Sequence, residues 1–97
     1  MRIRVLPRAQ REMERAQRWW RRNRHKNPEL LEREIDDAFE LVRSAPEVGE
    51  TARNTRLAAV RRVLLKGSQY YLYYRADDAE IVILSLWHTS RGRGPRV

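Results

Sequence analysis

Residues 60–88, VRRVLLKGSQYYLYYRADDAEIVILSLWH, decide the fold of this chain. Three runs suited to β-strands, at about 58–65, 69–75 and 80–87, are separated by the hairpin signals 66–68 and 76–79. The third run is almost wholly apolar, which is typical of a central strand that is either covered on both faces or paired with a partner. The sequence therefore predicts a meander of three antiparallel strands in its last third.

Upstream of the meander, apolar side chains recur at the spacing of helices in two segments. They are Ala9, Met13, Ala16 and Trp20 in the first segment, and Leu31, Ile35, Ala38, Phe39 and Val42 in the second. We expect Asn27 and Pro28 to cap and begin the second helix, and the short link 24–26 to place the two helices antiparallel. Residues 47–56 show no period and are predicted to form a loop.

A short strand with alternating apolar residues, Ile3 and Val5, precedes the first helix. The element order is then β-α-α-β-β-β. It predicts an α+β fold: an antiparallel β-sheet with a helical hairpin packed on one face, and the first strand beside the meander. Residues 1–97 are one small domain, and glycines at 92 and 94 predict a flexible basic tail from about residue 91 to 97.

Composition narrows the class of protein. The chain has 97 residues and no cysteine, which excludes a disulfide framework and a thiolate metal site. No apolar run approaches the roughly 18 residues that span a bilayer, so no membrane association is expected. The N-terminus is too short and too charged for a signal peptide, and we expect a cytoplasmic protein.

Charge is distributed in three blocks. Residues 1–26 carry ten basic against two acidic side chains, residues 27–50 two against eight, and residues 51–97 nine against three. The first two blocks suit ion pairs between adjacent helices. The third block suits either solvated surface arginines or a positive field for phosphate or an acidic partner. All but two of the 21 basic residues are arginine, which favours bidentate contacts.

Candidate chemistry is concentrated at the end of the meander. His88 directly follows the apolar strand, where it is either a general acid or base or an ordinary half-buried polar residue. Arg61 and Arg62 are adjacent on a strand and must point to opposite faces, so one of them lies on the open face. The chain has no glycine-rich phosphate loop, no catalytic triad and no metal-ligand cluster, so neither a metal nor a cofactor is expected.

Aromatic residues allow two interpretations. The tyrosines at 70, 71, 73 and 74 either stack on bases or pack across strands. Trp19 and Trp20 lie about 100° apart on their helix. We expect Trp20 in the core and Trp19 at its edge, where an exposed indole beside arginines is a good anchor for a partner.

Several motifs in this order resemble the RelE/ParE superfamily of toxins from bacterial type II toxin–antitoxin modules. They are the turn Ala45-Pro46-Glu47-Val48-Gly49, the strand that begins at Arg61, the segment 71–75, and the segment 83–88 followed by Arg91. The resemblance covers nearly the whole chain. It implies a growth-inhibiting toxin of the kind associated with plasmid stabilisation, held in a hetero-oligomer by a cognate antitoxin that wraps across the helical hairpin and the sheet.

Two activities occur among the relatives that this chain resembles. RelE-like members cleave messenger RNA on the ribosome without metal, and this function would fall on His88 with Arg61 or Arg62. ParE-like members inhibit DNA gyrase and depend on their C-terminal segment. The ribonuclease branch often has a tyrosine where this chain has Thr89, and it has a lysine-rich loop where residues 47–56 hold only two arginines.

The ParE-like function is therefore favoured, with the ribonuclease and a non-toxic remnant that only binds antitoxin as alternatives. The resemblance and the basic tail together predict two sets of contact residues. The target-binding set is Arg75, Arg91, Arg93 and Arg96. The antitoxin-binding set is Arg15, Trp19, Trp20, Tyr71, Tyr73 and Trp87.

Overall fold

The computed structural model describes all 97 residues and contains two helices and a five-stranded sheet. The elements are β1 (Arg2–Val5), α1 (Pro7–Asn23), α2 (Leu30–Ser44), β2 (Glu50–Thr51), β3 (Arg61–Leu65), β4 (Tyr70–Ala76) and β5 (Glu80–His88). The spatial order of the strands is β1-β5-β4-β3-β2. Neither helix is long and apolar enough to cross a membrane.

The predicted α+β architecture is confirmed. The meander forms as β3, β4 and β5, all antiparallel, and the apolar strand β5 lies between β1 and β4. β1 returns beside the meander as expected, but it runs parallel to β5. The sheet is therefore mixed rather than wholly antiparallel.

Both predicted helical stripes lie in the core, on one face of the sheet. Trp20 is 7% exposed, which confirms that it continues the stripe of α1. The helical side chains pack against the inner face of the strands, which contributes Leu65, Leu72, Tyr74, Ile81, Ile83 and Leu86. Burying one side chain of this size is worth about 1.5–3 kcal/mol, so this layer stabilises the packing of the helices on the sheet.

Two local predictions are wrong. The second helix begins at Leu30 rather than at Pro28, because residues 25–29 form turns and the amide of Leu30 donates to the carbonyl of Asn27 (3.2 Å). Asn27 therefore does not cap the helix. The segment predicted as a loop contains β2, whose Glu50 and Thr51 pair with β3.

A β-bulge interrupts the pairing of the two central strands. Tyr73 lies opposite Ser85 and Tyr74 lies opposite Ile83, so Leu84 is an extra residue on β5. The side chain of Glu12 in α1 accepts hydrogen bonds at this point from the Ser85 hydroxyl (2.8 Å) and from the next amide along the strand (3.2 Å). The Glu12 carboxylate thus provides a hydrogen-bond acceptor for donors of β5 beside the bulge.

The bulge also reverses which face the end of β5 presents. Ile81 and Ile83 point to the helices, and strict alternation would have continued with residues 85 and 87 on that side. Instead Leu86 packs in the helix-side core, while Trp87 packs with the smaller cluster on the open face. Residue 88 consequently follows Leu86 to the helix side.

Candidate functional site

Two concave surfaces, one on each side of the sheet, collect the predicted functional residues. The first, the basic cleft, has a volume of about 1130 Å³ and lies on the open face; its arginines are Arg53, Arg56, Arg62, Arg93 and Arg96. The second, the helix groove, has a volume of about 650 Å³ and lies between α1 and the end of β5; its side chains include Arg15, Trp19, Arg24, Tyr70, His88 and Arg91.

Arg62 is the arginine of the pair 61–62 that lies in the basic cleft. Its Nε contacts a Glu50 carboxylate oxygen (2.6 Å), one terminal nitrogen donates to the Tyr73 hydroxyl (3.2 Å), and its guanidinium lies 3.9 Å from the centre of the Tyr71 ring. Burial alone would lower the pKa of Arg62, but the hydrogen bonds to Tyr73 and Glu50 outweigh burial and raise this pKa above its ordinary value. The charge is permanent and its geometry is fixed.

Arg61 points away from the basic cleft, as expected for the neighbouring residue on a strand. It donates to the main-chain oxygens of Gly49 (2.7 Å) and Glu47 (3.3 Å). The Tyr74 hydroxyl stabilises the same turn, because it donates to Pro46 O (2.7 Å) and accepts from the Gly49 amide (2.9 Å). The Arg61 side chain is therefore held by hydrogen bonds to the loop that leads into β2.

The tail follows the open face of the sheet. The indole N–H of Trp87 donates to the main-chain oxygens of Arg91 (3.1 Å) and Arg93 (2.6 Å), and the Arg91 guanidinium lies 3.8 Å from the centre of the Trp87 ring. Farther along, the main-chain oxygen of Arg96 accepts from the Arg8 side chain (2.7 Å). At Arg93 and Arg96 these contacts use the backbone, so the two side chains remain available in the basic cleft.

The end of the tail is docked on the sheet, and the flexibility of residues 91–97 stays a prediction. The last residue, Val97, is 8% exposed and packs in the open-face cluster. Its main-chain oxygen accepts from the amides of Arg56 (2.8 Å) and Leu57 (3.1 Å). This docking brings the tail arginines beside those of the segment between β2 and β3.

His88 lies in the helix groove. Its Nδ1 accepts from the Ser90 amide (3.1 Å) and lies 2.8 Å from the Ser90 hydroxyl oxygen, and its ring meets Tyr70 edge-on at 4.8 Å. A backbone N–H can only donate, so Nδ1 carries no proton and the neutral ring carries its proton on Nε2. Burial raises the pKa of Tyr70, and the nearby charge of Arg91 partly offsets this rise.

The structure does not bring together the three residues predicted for a ribonuclease. Arg62 pairs with Tyr73 and His88 with Tyr70, so they are three positions apart along β4, or about 10 Å. Their side chains also lie on opposite sides of the sheet, and Arg61 contacts the β2 loop. Any reaction that needs His88 and an arginine of β3 at one phosphate is therefore not supported by this arrangement.

The predicted target-binding residues are distributed unevenly. Arg93 and Arg96 line the basic cleft, while Arg91 lies over Trp87 and lines the helix groove. Arg75 lies opposite Val82 near the other end of β4 and lines neither surface. Only Arg93 and Arg96 of this set therefore share one surface.

The predicted antitoxin-binding residues fall on both faces. Arg15 and Trp19 line the helix groove, and Trp19 is 47% exposed, as expected for the edge of the stripe. Trp20 is a core residue whose indole N–H donates to Asn27 O (2.9 Å). The remaining three, Tyr71, Tyr73 and Trp87, belong to the open-face cluster. A single partner must wrap around an edge of the sheet to contact both groups.

Sequence reasoning missed several residues of these surfaces. Glu50, Arg53 and Arg56 belong to the basic cleft. No periodic pattern marks them, because β2 has only two residues and the segment that follows it is irregular. In the helix groove it missed Glu12 and the buried Ser68. No group of three or more His, Cys, Asp or Glu side chains is placed to hold a metal ion.

Comparison with known proteins agrees with this architecture. A family model described as the ParE toxin of a type II toxin–antitoxin system, parDE, matches residues 3–93. A chain of the chromosomal ParDE system from P. aeruginosa superposes with a TM-score of 0.64 at 18% identity, covering 91% of this chain and 95% of that one. A chain of the YoeB dimer from Staphylococcus aureus gives 0.63 at 17% identity with the same coverage. No curated sequence matches the chain.

Proposed function

Because the chain belongs to the ParE toxin family of type II toxin–antitoxin systems, we propose that it inhibits growth by interfering with DNA gyrase. A cognate antitoxin neutralises it in a hetero-oligomeric complex. The family membership carries the toxin assignment. The choice of gyrase rests on the ParE-like branch and on the arrangement of the two surfaces.

The observation that carries the choice is the separation of His88 from Arg62. Metal-free cleavage of RNA needs a base for the 2′-hydroxyl, a positive group at the phosphorane and an acid for the leaving oxygen, all at one phosphate. Here the one candidate acid or base lies on the helix side, and the open-face arginine is about three residues away on the other side. His88 and Arg62 therefore do not meet at one phosphate, which supports a binding function for the open face.

The basic cleft supports binding to a large anionic target. Its tail arginines, Arg93 and Arg96, lie with Arg53 and Arg56 in one concavity, and the nearby Glu50 is already paired with Arg62. A cleft lined by positive charges raises the local concentration of an anionic partner and increases its rate of association. DNA held by gyrase, or an acidic surface of that enzyme, provides such a charge.

The antitoxin is proposed to use both faces. Exposed Trp19 with Arg15 offers an aromatic and cationic anchor on the helix side, and Tyr71 with Trp87 offers another on the open face. An acidic segment that wraps the sheet edge would cover both and would also occlude the tail. Neutralisation then follows from steric exclusion of the target.

The proposal is tested by controlled expression in cells. Substituting Arg93→Gln and Arg96→Gln together should relieve growth inhibition, because it removes two positive charges from the basic cleft. The docking of the tail should persist, because its hydrogen bonds at these residues use the backbone. The matched control is Arg11→Gln with Arg18→Gln, which removes the same charge from exposed positions of α1 outside both surfaces. His88→Ala should remain toxic.

Two readouts separate the alternatives. The gyrase proposal predicts broken plasmid DNA recovered from the arrested cells and intact messenger RNA. Cleavage of transcripts within codons, lost in His88→Ala, would instead support the ribosome-dependent ribonuclease. Overexpression with no growth defect would indicate a remnant that only binds antitoxin.

A further inference from the structure

The helix groove has an excess of hydrogen-bond donors that no protein group uses. The guanidinium groups of Arg15 and Arg91 donate to no protein acceptor, although both residues line the groove and Arg91 also stacks on the Trp87 ring at 3.8 Å. His88 presents one further donor, because its Nδ1 is occupied by Ser90 and the ring proton is on Nε2. Three donors of this kind along one concavity favour an anion with several oxygens.

The one carboxylate in the groove does not satisfy these donors. Glu12 accepts from the Ser85 hydroxyl and the Leu86 amide at one oxygen, and its other oxygen pairs with Arg8 at 3.3 Å. Its charge and its lone pairs are therefore largely used outside the groove. The positive charges of Arg15, Arg24 and Arg91 are not neutralised locally.

A second, independent observation concerns Ser68 in the wall of the groove. This residue is 3% exposed, and its hydroxyl oxygen is the one buried side-chain polar atom of the structure without a hydrogen-bond partner. Buried hydroxyls are nearly always paired with protein or with another bound group. Rotation of this side chain toward the groove would provide a fourth donor to an occupant.

The groove also offers flat apolar surface. Trp19 is 47% exposed, and the Arg24 guanidinium lies 5.1 Å from the centre of its ring. Tyr70 also lines the groove. Aromatic side chains of this kind stack on planar bases. The volume, about 650 Å³, lies within the roughly 300–1,000 Å³ of small-molecule sites.

We propose that the helix groove binds a phosphate group attached to a planar base, either as a free nucleotide or as the end of a single-stranded nucleic acid. The phosphate contacts Arg15, Arg91 and His88, with Ser68 turning to join them, and the base lies on Trp19. The site goes beyond the proposed action on gyrase and does not depend on it. Because Arg15 and Trp19 are shared with the proposed antitoxin surface, ligand and antitoxin compete.

The test uses the purified full-length chain and calorimetric titration with inorganic phosphate, AMP and a tetranucleotide of single-stranded DNA. Saturable binding of AMP that is tighter than binding of phosphate supports a free nucleotide. Binding of the tetranucleotide alone supports the same site with nucleic acid as the source. No saturable binding of either base-containing probe, or saturable binding of phosphate as tight as that of the base-containing probes, would overturn the proposal.

Variants locate the site. Arg15→Gln should weaken binding about tenfold or more, as expected for loss of one charge-assisted hydrogen bond. The control Arg18→Gln removes the same charge from an exposed position outside the groove and should leave the affinity unchanged. Equal weakening by both variants would show non-specific charge attraction and would contradict the proposal.

Ser68→Ala provides a second arm that does not depend on charge. If the hydroxyl lacks a partner until the ligand binds, the variant should melt at a higher temperature than the wild type when free, yet bind the nucleotide more weakly. A lower melting temperature of the free variant together with unchanged affinity would contradict the role assigned to Ser68.

Discussion

Replacement of Tyr74 by phenylalanine tests how the turn before β2 is stabilised. The Tyr74 side chain is fully buried, and its hydroxyl bridges the Gly49 amide (2.9 Å) and the Pro46 carbonyl (2.7 Å). Tyr74→Phe keeps the ring but leaves a buried amide without a partner. Such a group costs about 1–3 kcal/mol, and loss of the second, partly buried bond adds to it. We expect a loss of about 2–3 kcal/mol.

That loss is large for a domain of this size, whose free energy of unfolding is expected at roughly 5–15 kcal/mol. It corresponds to a fall in melting temperature of about 10 °C or more. Urea unfolding followed by tryptophan fluorescence measures it. The matched control is Tyr71→Phe, whose hydroxyl makes no hydrogen bond within the protein and whose loss should cost below about 0.5 kcal/mol. Equal unfolding midpoints for the two variants would refute the reasoning.

Two further predictions concern the turns that precede β2 and β4. Gly49→Ala should lower the free energy of unfolding, measured in urea, by about 1–3 kcal/mol, because the added Cβ would lie 2.7 Å from the Tyr74 hydroxyl oxygen. The control Gly92→Ala should leave it unchanged, because no atom lies within 4 Å of the added Cβ. Glu34→Ala should speed hydrogen exchange of the Gly67 and Ser68 amides in the β3–β4 turn, because the Glu34 carboxylate accepts hydrogen bonds from these amides at 2.7 and 2.9 Å. Exchange rates equal to those of the wild type would contradict this role.

A fourth prediction concerns alkaline pH. Burial raises the pKa of Tyr70 and of Tyr74 above the ordinary value of 10.0, so these hydroxyls ionise first in the unfolded chain. Their contribution to stability is present below about pH 10 and is lost as the pH rises through the folded-state pKa. Urea midpoints measured from pH 8 to 11 should fall less steeply in Tyr74→Phe than in the wild type. Parallel curves would argue against this cause.

The fold could be predicted from the sequence wherever a residue pattern repeats. The stripes of α1 and α2 placed Trp20 in the core and Trp19 at its edge, and both placements are confirmed. The short strand β2 could not be predicted, because two residues carry no period and their pairing depends on β3. The start of α2 was wrong because the turns at residues 25–29 override the preference of Asn27 and Pro28.

The candidate sites were predictable only in part. Alternation along β3 predicted that Arg61 and Arg62 separate, and the structure shows which of them lies in the basic cleft. The bulge at Leu84 has no signal in an all-apolar strand, yet it exchanges the faces of Trp87 and His88. That one extra residue moves the histidine away from the open-face arginine. Register irregularities of this kind decide a site without changing the fold.

The central claim is that the tail arginines in the basic cleft, and not His88, carry the toxic function. It is tested most directly by titrating the purified protein into a supercoiling reaction of purified DNA gyrase. We predict that the wild type and His88→Ala inhibit supercoiling equally, and that the pair Arg93→Gln and Arg96→Gln inhibits at least about tenfold less. Full supercoiling at a large excess of the wild type, or equal inhibition by the double variant, would contradict the account.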